Sequence, residues 1–179
     1  MILLFLLLFP FTAPGAPNVS KINKVVNYLE RTKTNCEYAM FIDMSIPSNE
    51  KRLFLVQLDS NKIIYSAFVA HGIGSGKGVQ LTKFSDKKGS RCTAPGLYKI
   101  GRIYKGKNGD SFEMEGLEKT NANALKRNIV IHSAWYADEE FIKKEGRCGN
   151  SWGCPAVSEE SLEKLKPYLE QNILVYIYM

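Results

Sequence analysis

Two histidines, His71 and His132, and four cysteines, Cys36, Cys92, Cys148 and Cys154, bound the nucleophilic chemistry open to this chain. Cysteine attacks as its thiolate, so it needs a base within hydrogen-bond reach, and histidine is the usual one. Cys154 stands in Ser151-Trp152-Gly153-Cys154-Pro155, between a glycine-rich bend and a helix expected to open near Ser158. Small neighbours, backbone N–H groups able to face an oxyanion, and a helix N-terminus that lowers a thiol's pKa all suit a nucleophile there. The alternative is a buried structural thiol, since free Cys is among the most buried residue types. His132 ends the apolar run Ile129-Val130-Ile131, which would set its imidazole at a strand tip, held by a rigid element beside the loops. A satisfied core histidine is the alternative there. Taken jointly, a strand-end His and a Cys after a glycine-rich bend fit a catalytic pair.

Competing chemistries fit less well. The four cysteines show no paired C-x-x-C spacing, and the step from Cys148 to Cys154 is too long for a zinc knuckle, so no metal is expected. With Cys154 as a free nucleophile, Cys36, Cys92 and Cys148 leave room for at most one disulfide, whose pairing the sequence does not fix. The run His71-Gly72-Ile73-Gly74-Ser75-Gly76-Lys77-Gly78 superficially suggests a phosphate loop. Its spacing fails, because Gly76-Lys77 is followed by Gly78 where Ser or Thr is required. His71 either lines a cleft from this loop or closes a strand.

The elements that would position these groups are mostly strands. Tyr38 to Met44, Arg52 to Leu58 and Ile63 to Ala70 are rich in β-branched and aromatic residues, and the last two flank the polar turn Asp59-Ser60-Asn61-Lys62, which reads as a hairpin. Leu97 to Tyr104, Ser111 to Glu115, Asn128 to Ile131 and Ile173 to Met179 read as further strands. Between them, residues 71 to 91 carry five glycines, at 72, 74, 76, 78 and 89, as a long functional or mobile loop would. Three helices are expected. The first covers Val19 to Lys33, where Val19, Ile22, Val25, Val26 and Leu29 share a face. A short one runs from Asp138 to Lys144 and stops at Gly146, and a third is capped by Ser158 with the stripe Leu162, Leu165 and Leu169.

A chain of 179 residues has room for one domain with a full hydrophobic core. Residues 1–16 read as an export signal and residues 17–179 as a single domain. Met1 to Phe9 are apolar and no charge precedes Lys21, yet Pro10, Pro14 and Pro17 interrupt the run before it could span a bilayer. Contact with a membrane is therefore expected only through an uncleaved N-terminal segment. The net charge of +6 is spread along the chain, which favours solubility and an anionic environment and gives no reason to expect nucleic acid.

With these residues in place, the sequence resembles the YkuD-type L,D-transpeptidases of bacterial cell walls, in the murein L,D-transpeptidase catalytic domain branch. His132-Ser133 and Ser151-Trp152-Gly153-Cys154 are similar to that family's His-Gly/Ser and Ser/Thr-x-Gly-Cys signature, and Thr93-Ala94-Pro95-Gly96-Leu97-Tyr98 to its Thr-Pro-x-Gly-x-Tyr/Phe segment. The likeness runs from about Tyr38 to the C-terminus. It departs at Trp152, where much of the wider family has a second His, at Ala156, where it has Arg or Asn, and in the 22-position step from His132 to Cys154. Arg147 is the nearest replacement for the missing Arg, with a solvated loop Arg as the alternative.

The resemblance implies a mainly β, YkuD-like β-sandwich with a few short peripheral helices. It also implies a catalytic set of Cys154 as nucleophile, His132 as base and Ser133 as the group that orients the imidazole. Ser151, Trp152, Gly153 and Arg147 would hold substrate or its oxyanion. The implied activity is cofactor-free acyl transfer on peptidoglycan stem peptides, in which a donor tetrapeptide forms a Cys154 thioester, loses D-alanine and passes to an acceptor amine in a 3→3 cross-link. The alternatives are an L,D-carboxypeptidase that trims tetrapeptides, or a non-catalytic wall-binding module. A monomer in the periplasm or cell envelope of a bacterium completes the expectation.

Overall fold

A computed structural model describes residues 16–106 and 109–179. The expected export segment, residues 1–16, lies outside the described residues apart from Ala16. In chain order the regular elements are α1 (Val19–Thr32), β1 (Tyr38–Asp43), β2 (Leu53–Gln57), β3 (Lys62–Ala67), β4 (His71–Gly72), β5 (Gly96–Gly106), β6 (Gly109–Gly116), β7 (Val130–Ser133), α2 (Glu139–Glu145), β8 (Asn150–Ser151), β9 (Ala156–Val157), α3 (Glu159–Leu169) and β10 (Leu174–Tyr178). Eight strands form one mixed sheet in the order β3-β2-β1-β10-β5-β6-β7-β9, and β4 pairs with β8 in a separate two-stranded ribbon.

Strand alternation divides the core between the two faces of this sheet. Met40 and Ile42 of β1 and Val175 and Ile177 of β10 point into the larger cluster, with Leu55, Tyr98, Phe112, Met114 and Ile131. Ala39 and Phe41 of β1 and Leu174 and Tyr176 of β10 point the other way, against Ile22, Val25 and Leu29 of α1. Strands β1 and β2 therefore share one cluster with β6 and β7 although they lie far apart in the strand order. The sheet curls, and its halves enclose a common core, which is the sandwich-like architecture expected. An isolated antiparallel bridge joins Ala70 to Ala156, so the chain just beyond edge strand β3 meets edge strand β9.

The helices form where the sequence predicts, with identifiable stops. Asn18 caps α1, its side chain accepting from the Lys21 N–H, and Lys33 ends it in the left-handed region. Helix α2 stops at Gly146, at φ 73°, and Ser158 caps α3 by accepting from the Ser161 N–H. Leu162, Leu165 and Leu169 of α3 fill the larger cluster, each contributing about 1.5–3 kcal/mol by leaving water. The β2–β3 hairpin turns through Asn61 at φ 54°.

Three expectations shift in detail. The strand expected over Asn128 to Ile131 runs instead from Val130 to Ser133, because Asn128 takes a left-handed conformation that ends a short 3-10 turn. Strand β3 ends at Ala67, with Ala70 making only the lone bridge. The glycine-rich segment is not all loop: it holds β4 and a 3-10 turn over Ile73–Ser75.

Candidate active site

The short parallel pairing of β7 with β9 sets the geometry. His132 lies opposite Ala156 and Ser133 opposite Val157, which brings Cys154, two residues before Ala156, beside the start of β7. His132 and Cys154 line one cavity of about 390 Å³, together with Tyr104, Ser111, Tyr136, Asn150, Ser151 and Trp152. Two larger clefts, one along α1 and one between β3 and the starts of α2 and α3, contain neither Cys nor His.

His132 is oriented by its own chain. Its Nδ1 lies 2.8 Å from the Ser133 carbonyl oxygen. A carbonyl only accepts, so Nδ1 carries the proton and the neutral ring keeps its lone pair on Nε2, the form a general base requires. Ser133 thus reaches the imidazole through its main chain. Burial holds the imidazole below its ordinary pKa, with the Ser133 carbonyl opposing the shift in part.

The Cys154 thiol is shifted the other way. Burial raises it, while the Val130 N–H and the Arg127 charge pull it down less strongly. The sequence places a helix N-terminus near this thiol, which would lower it. In the structure β9 and Ser158 separate Cys154 from the first turn of α3, and desolvation dominates. A raised thiol beside a depressed imidazole rests as a neutral pair, so the proton moves as attack begins.

Behind the nucleophile three backbones pack too closely for side chains. A Cβ on Gly72 would lie 2.3 Å from the Arg91 oxygen and 2.8 Å from Gly153 Cα, and one on Gly74 2.0 Å from the Ser90 oxygen. Gly153, at φ 123°, has the Cys92 oxygen 2.7 Å from where its Cβ would stand. The glycines therefore serve contact between segments, which answers what the phosphate-loop-like run is for. Ser151 fixes the bend from inside: its Oγ donates to the Cys154 carbonyl at 2.6 Å and accepts from the Gly153 N–H at 3.1 Å. The Gly153 N–H, expected at the oxyanion, is engaged inward here.

His71 belongs to the same wall. The wholly buried Arg52 donates from Nη2 to His71 Nδ1 at 2.9 Å, so Nε2 carries the hydrogen and donates to the Gly76 carbonyl at 3.0 Å. Burial, with the Arg52 charge second, depresses His71 to about 4. Asn150 Nδ2 donates to the His71 and Gly76 carbonyls, at 3.3 Å and 3.1 Å, and ties the glycine segment to β8, whose Ser151 opens the nucleophile bend. Of the two roles foreseen for His71, strand closure is the one observed.

Several site residues had no local signal. Ser111 faces His132 across the β6–β7 pairing. Tyr136 lines the cavity with its phenol pushed up to about 12, first by burial and then by Cys154, so it remains a hydrogen-bond donor. Arg127 is nearly buried, pairs with Asp86 at 3.2 Å, donates to the Ser85 and Cys92 carbonyls, and lies against Gly153. Arg147, chosen from sequence for its closeness to Cys154, donates from Nη1 to the Cys148 carbonyl at 2.8 Å and to Asn150 Oδ1 at 3.2 Å. It stays outside the residues lining the cavity. All four cysteines are free thiols, and among the described residues no three His, Cys, Asp or Glu side chains converge on a metal position.

Sheet and site together define a β-rich domain with a cysteine–histidine pair set where two parallel strands meet. The family follows from the sequence as a whole: residues 17–178 match the model of the L,D-transpeptidase catalytic domain, and the chain belongs to that family. No curated protein matches it. Solved structures similar to it include an L,D-transpeptidase from Mycobacterium smegmatis, at 8% identity over 81% of this chain and 60% of that one, with a TM-score of 0.48. An L,D-transpeptidase from Stackebrandtia nassauensis is 14% identical over 89% of this chain and 65% of that one, with a TM-score of 0.47. The helical cell shape determining protein Pgp2 from Campylobacter jejuni is 16% identical over 90% of this chain and 56% of that one, with a TM-score of 0.47. The chain thus spans less than two thirds of the length of each of these three.

Proposed function

We propose that this protein is a cysteine acyltransferase acting on peptidoglycan stem peptides outside the cytoplasmic membrane, with Cys154 as nucleophile and His132 as base. The observation that carries this reading is the shared cavity of Cys154 and His132, with the imidazole locked by the Ser133 carbonyl into the tautomer that accepts at Nε2. Cys154 Sγ attacks the carbonyl of the third stem residue as its proton passes to Nε2. The tetrahedral oxyanion collapses with cleavage of the bond to D-alanine, whose nitrogen takes the proton from the imidazolium. An acceptor amine then attacks the thioester, giving up its proton to His132 and restoring the Cys154 thiol. Oxyanion stabilisation falls to the Cys154 N–H and the protonated Tyr136 phenol, since the Gly153 N–H is spent on Ser151. The excess of basic residues favours contact with an anionic wall.

Incubation with a disaccharide-tetrapeptide beside Cys154→Ala, followed by intact-protein and product mass spectrometry, tests this directly. An acyl adduct on the parent, released D-alanine and a cross-linked dimer, all missing in the variant, are expected. Tripeptide without dimer reassigns the protein to hydrolysis of the same thioester. Equal turnover by the variant removes Cys154 from the chemistry.

A further inference from the structure

The wall of the cavity ends in an arrangement that the acyl-transfer steps leave unused. Trp152 precedes the nucleophile by two residues and is 72% exposed, an unusual amount for an indole. Over its face, 4.4 Å from the ring centroid, sits the guanidinium carbon of Arg91. Arg91 takes a left-handed conformation, φ 54°, which costs a non-glycine residue energy and concentrates where function demands it. Its carbonyl is pinned by the Gly74 N–H at 2.9 Å, in the same close packing that brings Gly72 against Gly153. The backbone of Arg91 is thereby fixed beside the nucleophile bend, and the arginine reaches back over the indole.

A guanidinium that uses its face on an aromatic ring still directs its N–H donors outward from its edge, where a carboxylate can be held by two parallel bonds. The segment leading to it, with Lys83, Lys87 and Lys88 all exposed, is basic. We propose that Arg91, stacked on Trp152, is the carboxylate-recognition residue of the donor site, a role that rests on the stem-peptide reading above. In such a donor the C-terminal carboxylate lies one residue, about 3.3–3.6 Å, beyond the scissile carbonyl. Trp152 lines the cavity with Cys154 and holds the Arg91 guanidinium against its face. Arg147, whose guanidinium braces its own loop, is not needed for this task.

The test compares two tetrapeptide donors, one ending in a free carboxylate and one in a carboxamide, with the third-residue side-chain carboxylate present or absent in each. Acylation is read as mass gain on Cys154, for the parent, Arg91→Ala and Arg91→Lys. The parent should prefer a carboxylate donor by about 10- to 100-fold in kcat/KM. Arg91→Ala should lose that preference, its rates with the two donors coming together, and Arg91→Lys should keep part of it. Which carboxylate carries the preference identifies the group bound. In Cys154→Ala, with and without Arg91→Ala, binding of the same donors is followed by tryptophan fluorescence in a Trp135→Phe background. Arg91-dependent carboxylate preference in binding without acylation would sink the transfer reaction and keep this site. Equal losses with both donors, or a parent-like preference in Arg91→Ala, overturns the proposal.

Discussion

The buried Arg52–His71–Gly76 link makes stability depend on pH with a sign and size set by its geometry. His71 accepts from Arg52 and donates to Gly76, an arrangement available only to the neutral ring. A second ring proton would displace the Arg52 bond and set two cations together out of water. The folded-state pKa of about 4 lies below the ordinary histidine value of 6.5. Because the unfolded chain binds this proton more readily, the contribution is fully present above pH 6.5 and is lost as pH falls toward 4. At 1.36 kcal/mol per unit, the loss over that window is about 3 kcal/mol. Urea unfolding of the parent and of His71→Gln, both carrying His132→Asn to remove the other titrating imidazole, measures it. Gln can accept from Arg52 and donate to Gly76 without titrating, so its stability should fall less steeply from pH 7 to pH 4.5, with the two curves converging. Parallel curves across that range would refute the assignment of His71 as a buried neutral link.

Three further outcomes follow from the site. Alkylation of Cys154 by iodoacetamide should rise with pH through neutrality into the alkaline range, because burial raises the thiol and lowers His132; a plateau already reached at pH 6 would indicate a preformed ion pair instead. Arg127→Met should move that alkylation profile to higher pH and cost about 3–5 kcal/mol in unfolding, since it leaves Asp86 unpaired at 12% side-chain exposure, and adding Asp86→Asn should recover part of the stability but not the profile. Gly153→Ala should lower the acylation rate by 100-fold or more, whereas Gly146→Ala, also at positive φ but at 73° rather than 123° and with open space around its Cβ, should cost only about 1 kcal/mol of stability and leave acylation unchanged. Equal effects of the two glycine substitutions on acylation would show that backbone conformation, not packing behind the nucleophile, sets the demand.

Local patterns carried the elements well. The helical face of Ile22, Val25 and Leu29, the turn at Asp59 to Lys62, the stop at Gly146 and the cap at Ser158 each rest on neighbours within a few residues, and each stands where the sequence puts it. The placement of His132 and Cys154 in one cavity was legible too, as residue types in an order. What escaped depends on distant segments meeting. Arg127 meets Gly153 while also holding Ser85, Asp86 and Cys92 from a distant segment, and Arg91 reaches Trp152 across some sixty positions of chain. Nearness in sequence pointed to Arg147, whose donors are taken up locally. The thiol was misread for a related reason: the helix was visible in the sequence, but the depth of burial that outweighs it arises from the whole fold.

The strand order has a consequence for how the protein comes into being. β10, which follows every other strand in sequence, lies in the middle of the sheet, parallel to β1 and antiparallel to β5. The two halves of the sheet therefore have no hydrogen-bonded contact along that line until residues 174–178 have been made and inserted. During synthesis the chain can hold the β1–β2–β3 meander and the β5–β6–β7 meander as separate pieces, each with an unsatisfied edge. The seam at Ala70 and Ala156, two residues from the nucleophile, closes only when those pieces are brought together. The bend that carries Cys154 is thus anchored from both sides of the sheet's open edge: Ala156 pairs with His132 of β7 and also bridges to Ala70 just beyond β3.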